Sequence, residues 1–155
     1  MRKLTDFMKD IEAHMSNTSD PSQHTKLPEE SPTLRLVTMP ADSNGGGTIF
    51  GGWIMSQVDI AGSIPAIRRA RGRVATVAVN SFEFHHPVLV GDLVSFYAHV
   101  VKVGRTSITV EVAVYAERYR TAEVSCTKVT QGTLTFVALD ENRKPRPVPP
   151  EESAQ

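Results

Sequence analysis

Asp59 is the residue in this chain whose setting most needs a chemical explanation. It stands alone as a carboxylate inside an almost wholly apolar stretch, Gly51-Gly52-Trp53-Ile54-Met55-Ser56-Gln57-Val58-Asp59. A carboxylate among apolar neighbours is costly unless it has a task or a partner. Directly before the stretch runs Asn44-Gly45-Gly46-Gly47-Thr48-Ile49-Phe50. Glycines let a backbone approach a ligand closely. If a helix begins at Gly51, its first N–H groups and partial positive charge suit a developing anion. A proton acceptor and an anion-stabilising amide cluster are therefore encoded within sixteen residues.

The elements that must hold these groups follow from periodicity. Phe50 or Gly51 to about Ala70 reads as a helix, with Gly72 as a stop signal. Its apolar residues, from Trp53 and Ile54 to Ile64 and Ile67, point in nearly every direction, so it should be buried on most sides. Pro65 inside it predicts a late kink. Leu34–Met39 reads as a short strand and Pro40–Gly47 as a loop. Four strands then follow over 73–86, 92–103, 106–118 and 123–139. The third alternates Ile108, Val110, Val112 and Val114 against Ser107, Thr109, Glu111 and Ala113. Gly104-Arg105 makes a tight link, which predicts an antiparallel pair. One long helix and a run of about five antiparallel strands define an α+β domain, the sheet curling around the helix. Such a sheet covers one side of the helix and leaves open edges, so a homodimer joined edge to edge is expected.

Composition bounds the rest. The 155 residues suffice for one domain with a real core. Basic and acidic residues balance at 17 each, which gives no global electrostatic case for nucleic acid or an anionic membrane. Cys126 is the one cysteine, so there is no intrachain disulfide, and a cytoplasmic setting is expected. Cys126 reads as a core residue. No apolar run reaches the length of a membrane span. Residues 1–31 read as a flexible extension in which Leu4, Phe7, Met8, Ile11 and Met15 recur at helical spacing. Residues 140–155, with Pro145, Pro147, Pro149 and Pro150, read as a tail outside the fold, which leaves 32–139 as the domain.

Five blocks carry a resemblance. They are Met39-Pro40-Ala41-Asp42-Ser43-Asn44, Ile49 to Asp59, Gly72-Arg73-Val74-Ala75-Thr76, Pro87-Val88-Leu89-Val90-Gly91-Asp92, and Gly104-Arg105-Thr106-Ser107. In this order and spacing the chain resembles the hotdog-fold acyl-CoA thioesterases, in particular the bacterial broad-specificity acyl-CoA hydrolases related to the animal cytosolic ones. Pro65 and the Gly45-Gly46-Gly47 triplet depart from that pattern. The resemblance implies hydrolysis of an acyl-CoA to free acid and coenzyme A, with no separate cofactor and no metal. It implies that Asp59 acts as general base or nucleophile, and that Asn44 positions water or binds the carbonyl. The N–H groups of Gly51 and Gly52 would receive the oxyanion. Coenzyme A contacts map onto Val77, Ala78 and Val79 and onto Arg105, Thr106 and Ser107. Arg71, Arg73 and Arg105 suit its phosphates by charge.

Helix geometry adds a constraint. Asp59 lies seven or eight residues beyond the helix start, a gap of roughly 10–12 Å at about 1.5 Å per residue. One carbonyl cannot touch both ends. A complete centre then pairs Asp59 of one subunit with the Asn44 loop and helix start of its partner. The family implies the same arrangement, often as a hexameric trimer of dimers. Structural readings stand beside these. Asn-Gly is itself a turn signal, Asp59 can be a satisfied structural carboxylate, and both glycines can serve packing. His85-His86 reads as strand-end packing or acyl-site lining, without the Cys or acidic partners of a metal site. The competing functions are a hotdog hydratase or dehydratase, which would need a His that the Asn44 loop lacks, and an acyl-CoA-binding sensor, which would have no use for Asp59. Chain-length preference rests on side chains such as Trp53, Phe82 and Phe84.

Overall fold

The computed structural model describes residues 9, 25–120 and 123–151. The apolar positions between Leu4 and Met15 lie outside the described residues. Among residues 25–151 the domain is built from five strands and one long helix, β1 (Leu34–Val37), α1 (Gly51–Ala70), β2 (Val74–Phe84), β3 (Leu93–Val103), β4 (Ser107–Arg120) and β5 (Glu123–Ala138), with a short 3-10 turn at Pro40–Asp42. The strands form a single sheet in the order β1-β3-β4-β5-β2, antiparallel at every junction. The helix packs against β2, β3, β4 and β5. This is the hotdog arrangement that the strand pattern and the resemblance anticipate.

Alternation decides which face meets the helix. Ile108, Val110, Val112 and Val114 are fully buried beneath α1, and their intervening neighbours point to the outer face. From the helix side come Ile54, Val58, Ala61, Gly62, Ala66 and Ala70, a stripe at helical spacing. Burying residues the size of Ile54 and Val58 contributes about 1.5–3 kcal/mol each. At Gly62 a Cβ would stand 3.2 Å from the Phe136 ring, so glycine lets the helix cross the sheet closely. The helix is nevertheless not buried on most sides within one chain. Met55, Ile60 and Ile67 stay exposed, at 40%, 49% and 45%. One sheet can cover only one side of a cylinder, so this apolar face is left without cover.

Four sequence expectations are corrected. The left-handed residue closing α1 is Arg71 (φ 51°, ψ 46°), whose N–H donates to the Arg68 and Ile67 carbonyls. Gly72 follows it, and a Cβ there would lie 2.7 Å from the Arg146 guanidinium. The Pro-rich tail is part of the fold. Arg146 N–H donates to the Ala138 carbonyl and Val148 N–H to that of Arg105, both at 2.8 Å. Extended backbone points alternate N–H groups to opposite sides, so Pro145, Pro147 and Pro149 occupy the positions that need no donor. Arg146 also donates through Nη2 to the Ala70 carbonyl at 2.7 Å and through Nε to that of Leu139 at 3.0 Å. It thereby caps the C-terminus of α1 and ties it to the end of β5. The last part of the N-terminal extension is pinned too: Thr25 N–H donates to the Cys126 carbonyl and Glu30 lies 2.8 Å from His99. Cys126, expected in the core, sits half-buried on the outer face opposite Glu117, because β5 places it out of phase with the positions under α1.

Candidate active site

Asp59 lies on the rim between the buried stripe of α1 and its uncovered face. Its Oδ1 accepts a hydrogen bond from the Thr76 hydroxyl at 2.5 Å. The second oxygen receives no hydrogen bond from any described residue. The carboxylate is half-buried, so the apolar enclosure expected from its sequence neighbours is incomplete in one chain. Thr76 carried no assigned role in the sequence, although it ends one of the resembling blocks. It stands seventeen residues from Asp59, and only the packing of β2 beside α1 joins them.

The Asn44 loop is built differently. Asn44 Nδ2 donates to the Thr48 hydroxyl at 2.8 Å, and Asn44 Oδ1 accepts from the N–H groups of Gly46 (2.8 Å) and Thr48 (3.3 Å). The Asn44 N–H donates to the Thr48 carbonyl at 2.7 Å. Gly47 takes φ +80°, a conformation that favours glycine. Asn44 is thus the organiser of its own turn, and one Nδ2 hydrogen is left to offer outward.

At the start of α1 the two glycines separate in role. A Cβ on Gly51 would meet the Phe84 ring at 3.0 Å, so the ring packs directly on the Gly51 backbone and would have to shift for any larger residue. Gly52 is exposed, and a Cβ there would meet nothing within 4 Å. Phe50 at the N-cap provides no side-chain cap, which leaves the first N–H groups of the helix available to an incoming anion.

The two halves stand at opposite ends of β2. Asp59 is at the Thr76 end and Gly51 at the Phe84 end. Along α1 itself the eight residues from Gly51 to Asp59 rise roughly 12 Å, more than one carbonyl can bridge. The structure therefore does not bring Asp59 and Asn44 together within one chain.

The proposed coenzyme A positions also fall into two groups. Val77, Ala78 and Val79 are exposed on β2 next to two bulges, where the β2–β5 ladder skips Val77 and Asn80, and the Asn80 side chain instead accepts from the Thr135 hydroxyl at 2.8 Å. Arg73, Arg105 and Thr106 gather at the far end of β5. The Arg73 carbonyl accepts from Leu139 N–H and the Thr106 carbonyl from Ala138 N–H, both at 2.9 Å. Two strand spacings, roughly 10 Å, separate Arg73 from Arg105, and both residues are exposed. The Ser107 carbonyl accepts from Gly104 N–H at 2.8 Å and closes the β3–β4 turn. His85 and His86 both donate their N–H to the Val129 carbonyl at the end of β2, and the His85 ring lies 3.9 Å from Glu83. Among the described residues no three His, Cys, Asp or Glu side chains gather as a metal site would need, and no helix is long and apolar enough to cross a membrane.

Comparison with known proteins adds a lineage. The profile of the thioesterase superfamily matches residues 46–136. A Zymomonas mobilis protein described as an uncharacterized acyl-CoA thioester hydrolase is 45% identical over 140 residues, covering 88% of this chain and 91% of its own. The crystal structure of a hexameric hotdog-fold thioesterase from Campylobacter jejuni is similar with a TM-score of 0.75 at 43% identity, over 77% of this chain and 91% of that one. An acyl-CoA hydrolase from Staphylococcus aureus, solved with butyryl coenzyme A, coenzyme A and coenzyme A disulfide, gives 0.67 at 31% identity, over 77% and 74%.

Proposed function

The chain belongs to the thioesterase superfamily, and from that premise we propose that it hydrolyses acyl-CoA thioesters at a centre shared between two copies. The observation that carries this reading is the separation of the two halves along β2. Asp59 with Thr76 supplies the proton acceptor, and the Asn44 loop with the uncapped start of α1 supplies the oxyanion donors. Neither half is complete alone.

β2 is an edge strand, and Val77 and Val79 on it are exposed at 57% and 49%. An exposed apolar edge beside the uncovered face of α1 asks for a second copy. Antiparallel pairing of two β2 strands about their midpoint, near Asn80, sets Thr76 of one copy opposite the Phe84 end of the other. That register carries Asp59 toward the partner's helix start. It supports a dimer as the minimal unit, and assembly of three dimers into a hexamer extends it.

In the proposed reaction Asp59 takes a proton from water as the oxygen attacks the thioester carbon, or attacks that carbon itself and is freed by water afterwards. The Thr76 hydroxyl holds one carboxylate oxygen and leaves the other facing the reacting atoms. The oxyanion of the tetrahedral intermediate is received by N–H groups at Gly52 and its neighbour, and Asn44 donates its remaining hydrogen to the water or the carbonyl. The thiolate of coenzyme A then leaves. Val77–Val79 run beside the pantetheine arm, and Arg73 and Arg105 meet the phosphates. The test is release of free thiol from acyl-CoAs of graded chain length. Asp59→Ala is expected to lose at least about a hundredfold in kcat. Hydrolysis by this variant at the wild-type rate would overturn the mechanism.

A further inference from the structure

A buried ion pair lies outside this centre, and its connections lead to it. Arg118 on β4 donates through Nε to Asp92 Oδ1 at 2.8 Å and through Nη2 to Asp92 Oδ2 at 2.7 Å. The Asp92 side chain is 2% exposed and that of Arg118 is 15% exposed. A two-pronged guanidinium–carboxylate contact of this kind fixes orientation as well as charge. Asp92 Oδ2 also accepts from Leu89 N–H at 2.9 Å, so the turn over 89–92 is closed by the same carboxylate. Thr38, 1% exposed, holds the turn from the other side, with its hydroxyl donating to the Leu89 carbonyl at 2.7 Å.

That turn is the surface on which the Asn44 loop rests. Thr48 forms a β-bridge with Leu89, and Ile49 N–H donates to the Val88 carbonyl at 2.8 Å. Thr48 in turn holds Asn44 through both its hydroxyl and its carbonyl. A continuous chain of contacts thus runs from Arg118 through Asp92, Leu89 and Thr48 to Asn44. Every link is a hydrogen bond or a bridge between backbones, and the carboxylate at its root, Asp92, is buried while the other members are partly buried. Nothing comparable holds Asp59, which has the Thr76 hydroxyl alone.

Resting on the shared centre proposed above, we infer that Arg118 and Asp92 are positioning residues for hydrolysis: they set the Asn44 loop and the start of α1 for use by the partner's Asp59. They touch no substrate. Misplacement of reacting groups by about an ångström can cost a hundredfold in rate, so loosening this chain lowers kcat while the coenzyme A contacts, at the other end of β5, keep KM.

The variants are Arg118→Lys, which keeps the charge and loses the fork, and Thr48→Val, which keeps the bridge to Leu89 and removes the hydroxyl on Asn44. Thr48→Val cuts the chain at its last link and leaves the buried ion pair intact, so it reports even if Arg118→Lys does not fold. Each is expected to lower kcat about tenfold or more with KM within about twofold. Heterodimers of two differently tagged chains then assign each variant to one half of the centre. The pair Asn44→Ala with Asp59→Ala is the control and should recover about half of wild-type activity, because one of its two centres receives both intact halves. Arg118→Lys or Thr48→Val paired with Asp59→Ala should recover to the same half. Paired with Asn44→Ala, each should fall to about half the level of its own homodimer, because one centre loses Asn44 and the other carries the variant loop. Recovery with Asn44→Ala in place of Asp59→Ala, equal recovery with both, or a rise in KM without a fall in kcat would each overturn the inference. If the control pair itself stayed inactive, the shared centre would be wrong, and the positioning role would fall with it.

Discussion

The two ends of β2 are held in opposite ways. At the Phe84 end the Asn44 side chain is bonded through both its oxygen and its nitrogen, and its loop is anchored to the Arg118–Asp92 ion pair. At the Thr76 end Asp59 has one hydrogen bond, from a hydroxyl on an exposed edge strand. The difference fits the roles. Oxyanion donors stabilise charge best when they need no rearrangement as it develops. A proton acceptor must exchange its proton with water and is served by an oxygen left open. In the proposed centre it also gives a second copy its purpose: the rigid half is built within each chain, and the open half lies on the exposed face that a partner would close.

Breaking the pairing of the two ends gives the largest expected effect. Val79→Asp places a charge on the β2 edge, and it should yield monomers by sedimentation with activity below about a hundredth of wild type, since neither half works alone. An active monomer would abolish the comparison. Thr76→Val sharpens it by freeing Asp59 while leaving the Asn44 end untouched. A hydrogen bond to a charged group contributes about 1.5–3 kcal/mol, so a fall of roughly tenfold in kcat is expected, read from thiol release at saturating substrate. Arg105→Ala lies beyond both ends. As an exposed charge on a phosphate it should raise KM about three- to tenfold with kcat unchanged.

The smallest effect is expected at Cys126. Its thiol is pushed up to about 11, first by burial and then by the Glu117 carboxylate. It stays protonated at neutral pH and cannot serve as a nucleophile there. Because the folded state holds this proton more tightly, its contribution to stability is full below pH 9 and fades as pH rises toward 11. Cys126→Ser should leave thiol release from acyl-CoA unchanged, and it should remove that alkaline loss in melting experiments followed across pH.

Much of the frame was legible before any coordinates. The bounds of α1 agree with the expected helix within a residue; β2, β3 and β5 lie within the expected spans, and β4 runs two residues past its own. Each of these features is local, set by alternation, helical spacing and turn residues. Asn44, Gly51, Gly52 and Asp59 stood out because their types are conspicuous beside one another in the chain. Thr76 had no such signal, since a threonine on a strand is ordinary and its partner lies seventeen residues away. The tail departs from the expectation because its prolines fall at positions that need no donor and so do not break its order. Their alternation with Arg146 and Val148 was the available sign of an extended segment donating from every second residue.

What the amino-acid order determined alone was the set of elements and the chemical types offered at their ends, because both depend on neighbours within a few residues. The tertiary structure decided which of those types meet. It set Asp59 beside Thr76, Arg118 upon Asp92, and Arg146 across the end of α1, and it parted Asp59 from Asn44 along the length of a strand. Such meetings depend on strand order and register across the sheet, which are fixed by the burial of a whole face at once.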